Sequence, residues 1–330
     1  MATKEFKSLS EQLDILKSRN LTIMDDVSTM ERLSSHGYYE IINGYKTTFL
    51  IDPENEIFKS GTTFDDIFAL YFFDSKIRIA VLEAIEFTEN FLRQKLAYTL
   101  AEQHSEIFDD YVNKNVFNAG KQLPSWKQRP KKGIFSERDL LFDGFTKIAN
   151  LNYDPYNHYK NNHGNTPPWI LVKGMTFGQL RMAISLLNSR DKQLLIHRIY
   201  SEKDQAAMPF DEMAVLFNET LEVLNKFRNR AAHGGRMYNY YPNVGFTYNQ
   251  HLHSLAKISK TMLSKNKIHS AGLSLLRWAL SMWQSGYSVM MLMNGINSAL
   301  SGYATKWETQ IPLVLAEMEF PPDYDGYKQK

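Results

Sequence analysis

The sequence predicts an all-α fold, on three observations. Apolar residues recur at steps of three and four over long stretches. In "DSKIRIAVLEAIEFTENFLRQKLAYTL" (74–100), Ile77, Val81, Ile85, Thr88, Leu92 and Leu96 share one stripe. Helix-start signals precede several such stretches. Alternating strand patterns are scarce: "VGFTYNQ" (244–250) is the best short candidate, with room for one hairpin in the loops.

In chain order, "SLSEQLDILKSRN" reads as a helix starting near Ser8 or Ser10, with Glu11 placed for a capping box on Ser8. Thr62 or Thr63, followed by acids, caps a short helix ahead of the 74–100 stripe. Residues 120–133 are basic and proline-broken, and 150–169 are rich in Asn, Tyr, Gly and Pro, so both read as loops or short irregular elements. Helical patterning resumes over 176–191, capped by Thr176, and over 210–233, where Asp211 is the expected cap. The chain is then divided into a helical domain over 1–250 and a C-terminal helical region over 251–330 that packs on it.

Composition narrows the function classes. A chain of 330 residues with 43% hydrophobic and 22% charged residues buries a large core and argues against extensive disorder. It has no cysteine, which removes disulfides, thiolate nucleophiles and Cys-based zinc sites. The N-terminus is polar and mixed in charge, unlike a signal peptide. The most apolar segment, 275–300, is interrupted by Arg277, Gln284, Ser285 and Asn294, short of a spanning helix. A soluble, cytoplasmic protein is expected. The net charge of +2 leaves nucleic acid open as a partner through a local basic patch.

The most specific stretch is "NKFRNRAAHGGRMYNY" (225–240). Ala214, Phe217, Leu221, Leu224, Arg228 and Ala231 follow one another at steps of three and four, which puts Arg228 in register with the apolar face. A guanidinium there needs a partner: an acidic neighbour, another subunit, or an anionic ligand. Its planar fork suits phosphate oxygens. His233 lies five residues on, about 140° around an ideal helix. The two side chains converge if the last turn unwinds at Gly234-Gly235, or if two copies of the motif face each other. Asn229, four residues before His233, could orient the imidazole. The negative end of the helix dipole favours its charged form. Lys226, Arg230 and Arg236 add further cations.

"RNRAAH" resembles the Arg-Asn-x-x-x-His motif of HEPN ribonucleases. The flanking blocks "LSSHGYYEIINGYKTTFL" (33–50), "FKSGTTFDDIFALYFFDSKIRIAVLEAIEFTENFLRQKLA" (58–97), "PPWILVKGMTFGQL" (167–180) and "RNRAAHGGRMYN" (228–239) resemble, in order, those of the Abi family of phage abortive-infection proteins, the AbiD/AbiF type. "MEFPPDY" (318–324) is similar to its C-terminal signature. Lys173 departs from the family's usual glutamate, and Tyr324 from its usual tryptophan. The resemblance implies a HEPN-like helical bundle with added N- and C-terminal helices and long irregular loops. It further implies a metal-independent endoribonuclease, a homodimer, needing no cofactor, that acts as a toxin-like effector with RNA as substrate. A structured small RNA and an antitoxin or inhibitory partner are also implied. Arg228 and His233 would be catalytic. The RNA's 2′-OH would attack, leaving 2′,3′-cyclic phosphate and 5′-OH ends.

Supporting roles are read around this centre. Glu86, Glu89 and Arg93 form a stripe, either a boundary ion pair or a brace for Arg228. Arg230, Arg236, Tyr238 and Asn239 are expected to contact RNA. So are Lys127, Arg129, Lys131 and Lys132, with Lys121 and Trp126 beside them, unless the segment is a solvated loop. Tyr38, Tyr39 and Tyr45 are assigned to the core. His158 with His163, and His251 with His253, have no well-placed acid, so no metal site is assigned. Two further readings stay open: an RNA-holding protein that does not cut, and a helical interaction protein whose Arg228 serves an interface.

Overall fold

A computed structural model describes residues 5–265 and 267–328. The fold is all-α, with one two-stranded antiparallel hairpin, Leu50–Asp52 with Ile57–Phe58, among the described residues. The expected caps form. Ser8 accepts from the Glu11 N–H while the Glu11 carboxylate takes the Ser8 N–H, starting the helix Leu9–Ser18. Thr176 and Gln179 form the same box ahead of Phe177–Leu186.

The chain divides into two compact units built from interleaved segments. The first takes the segments through Ala80, Arg230–Tyr240, and Asn294 onward. Its core gathers Leu16, Leu33, Ile41, Ile42, Phe58, Ile67, Ile77, Met237 and Ile296, each at most 2% exposed. Aromatic rings join them: Tyr238 stacks on Tyr45 at 6.3 Å and meets Phe73 edge-on at 6.2 Å. The second takes Val81–Asn229 and Tyr241–Met293. It buries Leu92, Leu96, Leu100, Phe117, Phe145, Leu180, Ile196, Phe217, Leu224 and Phe227 completely.

Several elements differ from expectation for identifiable reasons. The short helix after Thr63 and the 74–100 helix are one helix, Phe64–Gln103, of 40 residues. No Gly or Pro interrupts it, and Thr63 with Asp66 forms its capping box (Asp66 N–H to Thr63 Oγ1, 3.2 Å; Thr63 N–H to Asp66 Oδ2, 2.8 Å). The 176–191 stretch is two helices, since the Asn188 side chain caps a new one, Ser189–Ile199. The motif helix is Phe210–Ala232, so Asp211 sits in its first turn and is not its cap. Residues 244–249 are not a strand, because their polar groups are engaged elsewhere. The Thr247 N–H and hydroxyl bond Glu219, and Asn249 caps Gln250–Leu255. Within 150–169, Tyr156–His163 is helical, and Glu137–Ala149 is a further helix that local patterning does not single out. The apolar 275–300 segment spans two helices, Leu273–Ser281 and Tyr287–Trp307. Among the described residues no helix is long and apolar enough to cross a membrane.

The histidine pairs are dispersed. His158 and His163 lie exposed on the helix Tyr156–His163 with rings 5.6 Å apart. His251 Nε2 is 2.7 Å from Asp204 Oδ1, an acid that spacing did not reveal. His253 is fully buried: its Nδ1 lies 2.9 Å from the Asn249 carbonyl oxygen and 3.1 Å from the Asn249 nitrogen, and Nε2 has no hydrogen-bond partner among the described residues. Burial pushes this imidazole below its usual range. The folded state therefore holds it neutral, while the unfolded chain takes up a proton below about pH 6.5. The stability it contributes is present above that pH and lost as pH falls below it, by at most about 1.4 kcal/mol per pH unit. Urea midpoints compared at pH 7.5 and 5.5 should fall more for the wild type than for His253→Leu.

Candidate functional site

The site is built at the C-terminal end of Phe210–Ala232. Gly234 stops the helix: its N–H bonds the Ala231 carbonyl at 3.1 Å, and the Gly235 N–H bonds the Arg230 carbonyl at 2.9 Å. These are the paired bonds of a Schellman cap, with Gly234 in the left-handed region at φ 72°. Gly234→Ala is expected to cost about 1–2 kcal/mol, from backbone strain alone because the space beside it is open. A thermal melt would read it. A Cβ at Gly235 would displace the exposed Arg230 side chain that lies against it.

Arg228 is half-buried and makes no hydrogen bond or ion pair among the described residues. Phe227 beside it is fully buried. A partly desolvated guanidinium without a carboxylate is set up to take an anion from outside the chain. Asn229 is exposed with no side-chain hydrogen bond, so the described residues give no sign that it orients an imidazole. His233 is exposed and likewise without a partner, at the point where the helix unwinds.

The segment after the motif is anchored, and the anchor was not foreseen. Asp74, fully buried, accepts the Met237 and Tyr238 N–H groups on Oδ1 at 2.8 and 2.5 Å. Its Oδ2 accepts from the Tyr45 hydroxyl and from Arg78, both at 2.6 Å. Burial pushes this carboxyl above the usual carboxylate range, against the pull of its four donors. The signal was available: Asp74 stands in step with Leu70, Ile77 and Val81, a charge on an apolar stripe as Arg228 is.

This anchoring buries Tyr238 and engages Arg236 and Asn239, three of the residues expected to contact RNA. Tyr238 is 3% exposed and packs in the core; burial pushes its hydroxyl up to about 12. It is therefore closed to a strand. Arg236 donates to the Gly44 carbonyl at 2.6 Å, and Asn239 donates to Glu317 at 2.8 Å. Both hold the loop in place. Arg230 remains exposed, its guanidinium 5.3 Å over Tyr240 and its Nε donating to the Arg236 carbonyl at 3.3 Å. Tyr45 belongs to the core as expected, but Tyr39 is 71% exposed.

Glu89 and Arg93 pair at 2.8 Å, both largely buried, and Arg93 also donates to the Met175 carbonyl at 3.0 Å. The pair thus braces the turn before Phe177–Leu186. Among the described residues the pair makes no hydrogen bond to Arg228. Glu86 is exposed and unpaired, and Lys173 is exposed on a short turn.

The basic segment is a structured protrusion. Leu123 and Ile134 are buried at its base, and backbone bonds from Leu123 to Phe135 and from Arg129 to Ile134 close it. Lys127, Arg129, Lys131 and Lys132 are exposed around it. Trp126 is 77% exposed with the Lys127 ammonium 4.7 Å over its ring, and Arg129 reaches Asp143 at 3.7 Å. Among the described residues no group of three or more His, Asp or Glu is gathered as a metal would need.

Among the described residues this helix end thus presents an arginine without a carboxylate and an exposed histidine beside a glycine stop. A family model described as Abi-like protein matches residues 31–239, more than half of the chain. The chain belongs to the Abi-like protein family, which points to abortive infection, a form of phage defence, as its setting. No curated protein and no solved structure gives a significant match.

Proposed function

We propose that this protein is a HEPN-type, metal-independent endoribonuclease acting as a toxin-like effector of abortive infection. The observation that carries the reading is Arg228, half-buried at the end of its helix with no carboxylate paired to it among the described residues. RNA brings its own nucleophile, so the protein need supply only proton transfer and charge stabilisation. His233 would take the 2′-OH proton or protonate the departing 5′-oxygen. Arg228 would hold the phosphoryl oxygens as negative charge builds. A second copy of the chain would place the other histidine across the phosphate, which is why a homodimer is part of the proposal. An antitoxin or other inhibitory partner would restrain the activity before infection.

A second reading has an observation of its own. Trp126, with Lys127 over its ring and Arg129, Lys131 and Lys132 around it, is suited to stack a base and follow a backbone. That arrangement also fits a protein that holds a structured small RNA without cutting it. The deciding experiment incubates cellular RNA with purified protein in EDTA and analyses the ends. Fragments with 2′,3′-cyclic phosphate and 5′-OH ends support the ribonuclease. RNA that is bound with salt-dependent affinity but left intact supports the holding protein.

A further inference from the structure

Within the first unit, the helices Phe64–Gln103 and Tyr287–Trp307 line a cavity of about 350 Å³. That is the size range of small-molecule sites, roughly 300–1,000 Å³. Its wall is aromatic: Phe68, Phe72, Tyr303 and Trp307 all face it. Trp307 is held in place, because its Nε1 donates to Asp66 Oδ1 at 2.8 Å and its ring stacks on Tyr303 at 5.7 Å and 19°. A ring fixed in this way needs no ordering when a ligand arrives. Phe72, 53% exposed, leaves an apolar edge at the mouth.

The charges at the cavity are unbalanced. Lys76 and Lys306 line it, are exposed, and form no ion pair among the described residues. Their ammonium groups lie 5.4 Å over Phe72 and 5.0 Å over Trp307, so each positive charge sits beside an aromatic face. The third cation, Arg32, is matched by Asp65 at 2.5 Å. That pairing also uses the one carboxylate on the wall.

A fixed aromatic platform next to two uncompensated ammonium groups suits a planar ring that carries an anion. We propose that this cavity binds a nucleoside phosphate, with its base stacked on Trp307 and its phosphate held by Lys76 and Lys306. The source is either a free nucleotide or one nucleotide of an RNA strand. Neither Arg228 nor His233 lines it, and the proposal does not depend on the ribonuclease reading.

Isothermal titration of the full chain tests it with AMP, adenosine, inorganic phosphate and a ten-nucleotide single-stranded RNA. AMP is expected to bind more tightly than adenosine or phosphate. The double variant Lys76→Ala/Lys306→Ala, exposed positions with little bearing on folding, is expected to weaken AMP about tenfold or more. Adenosine binding should scarcely change. Trp307→Leu, checked by thermal melting for fold, should weaken AMP and adenosine alike. If AMP fails to bind but the RNA does, and the double lysine variant weakens it, the site takes its nucleotide from a strand. If the wild type binds neither, or if the lysine variant binds both as the wild type does, the proposal is overturned.

Discussion

His233→Ala is expected to lower RNA cleavage by about 100- to 10,000-fold, the range a positioned general acid or base supplies. Arg228→Ala is expected to lower it by about 100- to 1,000-fold, as for other groups that stabilise transition-state charge. Arg228→Lys should recover only part of that loss, because an ammonium keeps the charge but not the two-pronged fork. His233 is exposed, so its variant should fold normally. Arg228 is half-buried, so a melting curve must accompany its kinetics. Single-turnover cleavage of a labelled RNA gives the rates. Undiminished cleavage by His233→Ala would remove this helix end from the chemistry, whatever else the protein does with RNA.

Asp74→Ala is expected to destabilise the protein by about 3–5 kcal/mol, the cost of breaking a buried ion pair by removing one partner. The substitution strands the Arg78 charge and leaves the Met237 and Tyr238 N–H groups and the Tyr45 hydroxyl without their acceptor. Asp74→Asn keeps one acceptor oxygen but turns an NH₂ group towards donors, so it should also destabilise, by less. Adding Arg78→Met to Asp74→Ala should return part of the loss, since the uncompensated charge goes with it. Urea denaturation of the four proteins measures these differences. Cleavage should fall as well, because residues 237 and 238 hold the segment that follows His233. An Asp74→Ala protein as stable as the wild type would show that the four hydrogen bonds do not act as a structural hub.

Much of the fold was legible from local chemistry. Capping at Ser8 and Thr176, the glycine stop at Gly234, and the apolar steps that define the long helices all depend on residues within a few positions of one another. The same arithmetic placed Arg228 on a buried stripe, and the structure leaves it half-buried and without a carboxylate. Helix limits were less secure where a break depended on one side chain, as Asn188 does in dividing 176–191.

Tertiary structure alone decided which groups meet. Asp74 lies more than 160 positions from the backbone it anchors, and Arg236 is 192 positions from the carbonyl it binds. No periodicity encodes such pairings. They also determine exposure: Tyr238 was expected at an RNA surface because it follows the motif, yet it is buried because Asp74 draws its backbone inward. The aromatic cavity was equally invisible, since Phe72, Lys76, Lys306 and Trp307 come from opposite ends of the chain. The sequence by itself determined the helices and the character of the motif, because those depend on spacing along one strand of backbone. Which side chains remained free for a partner was decided only when distant segments packed and used up the rest.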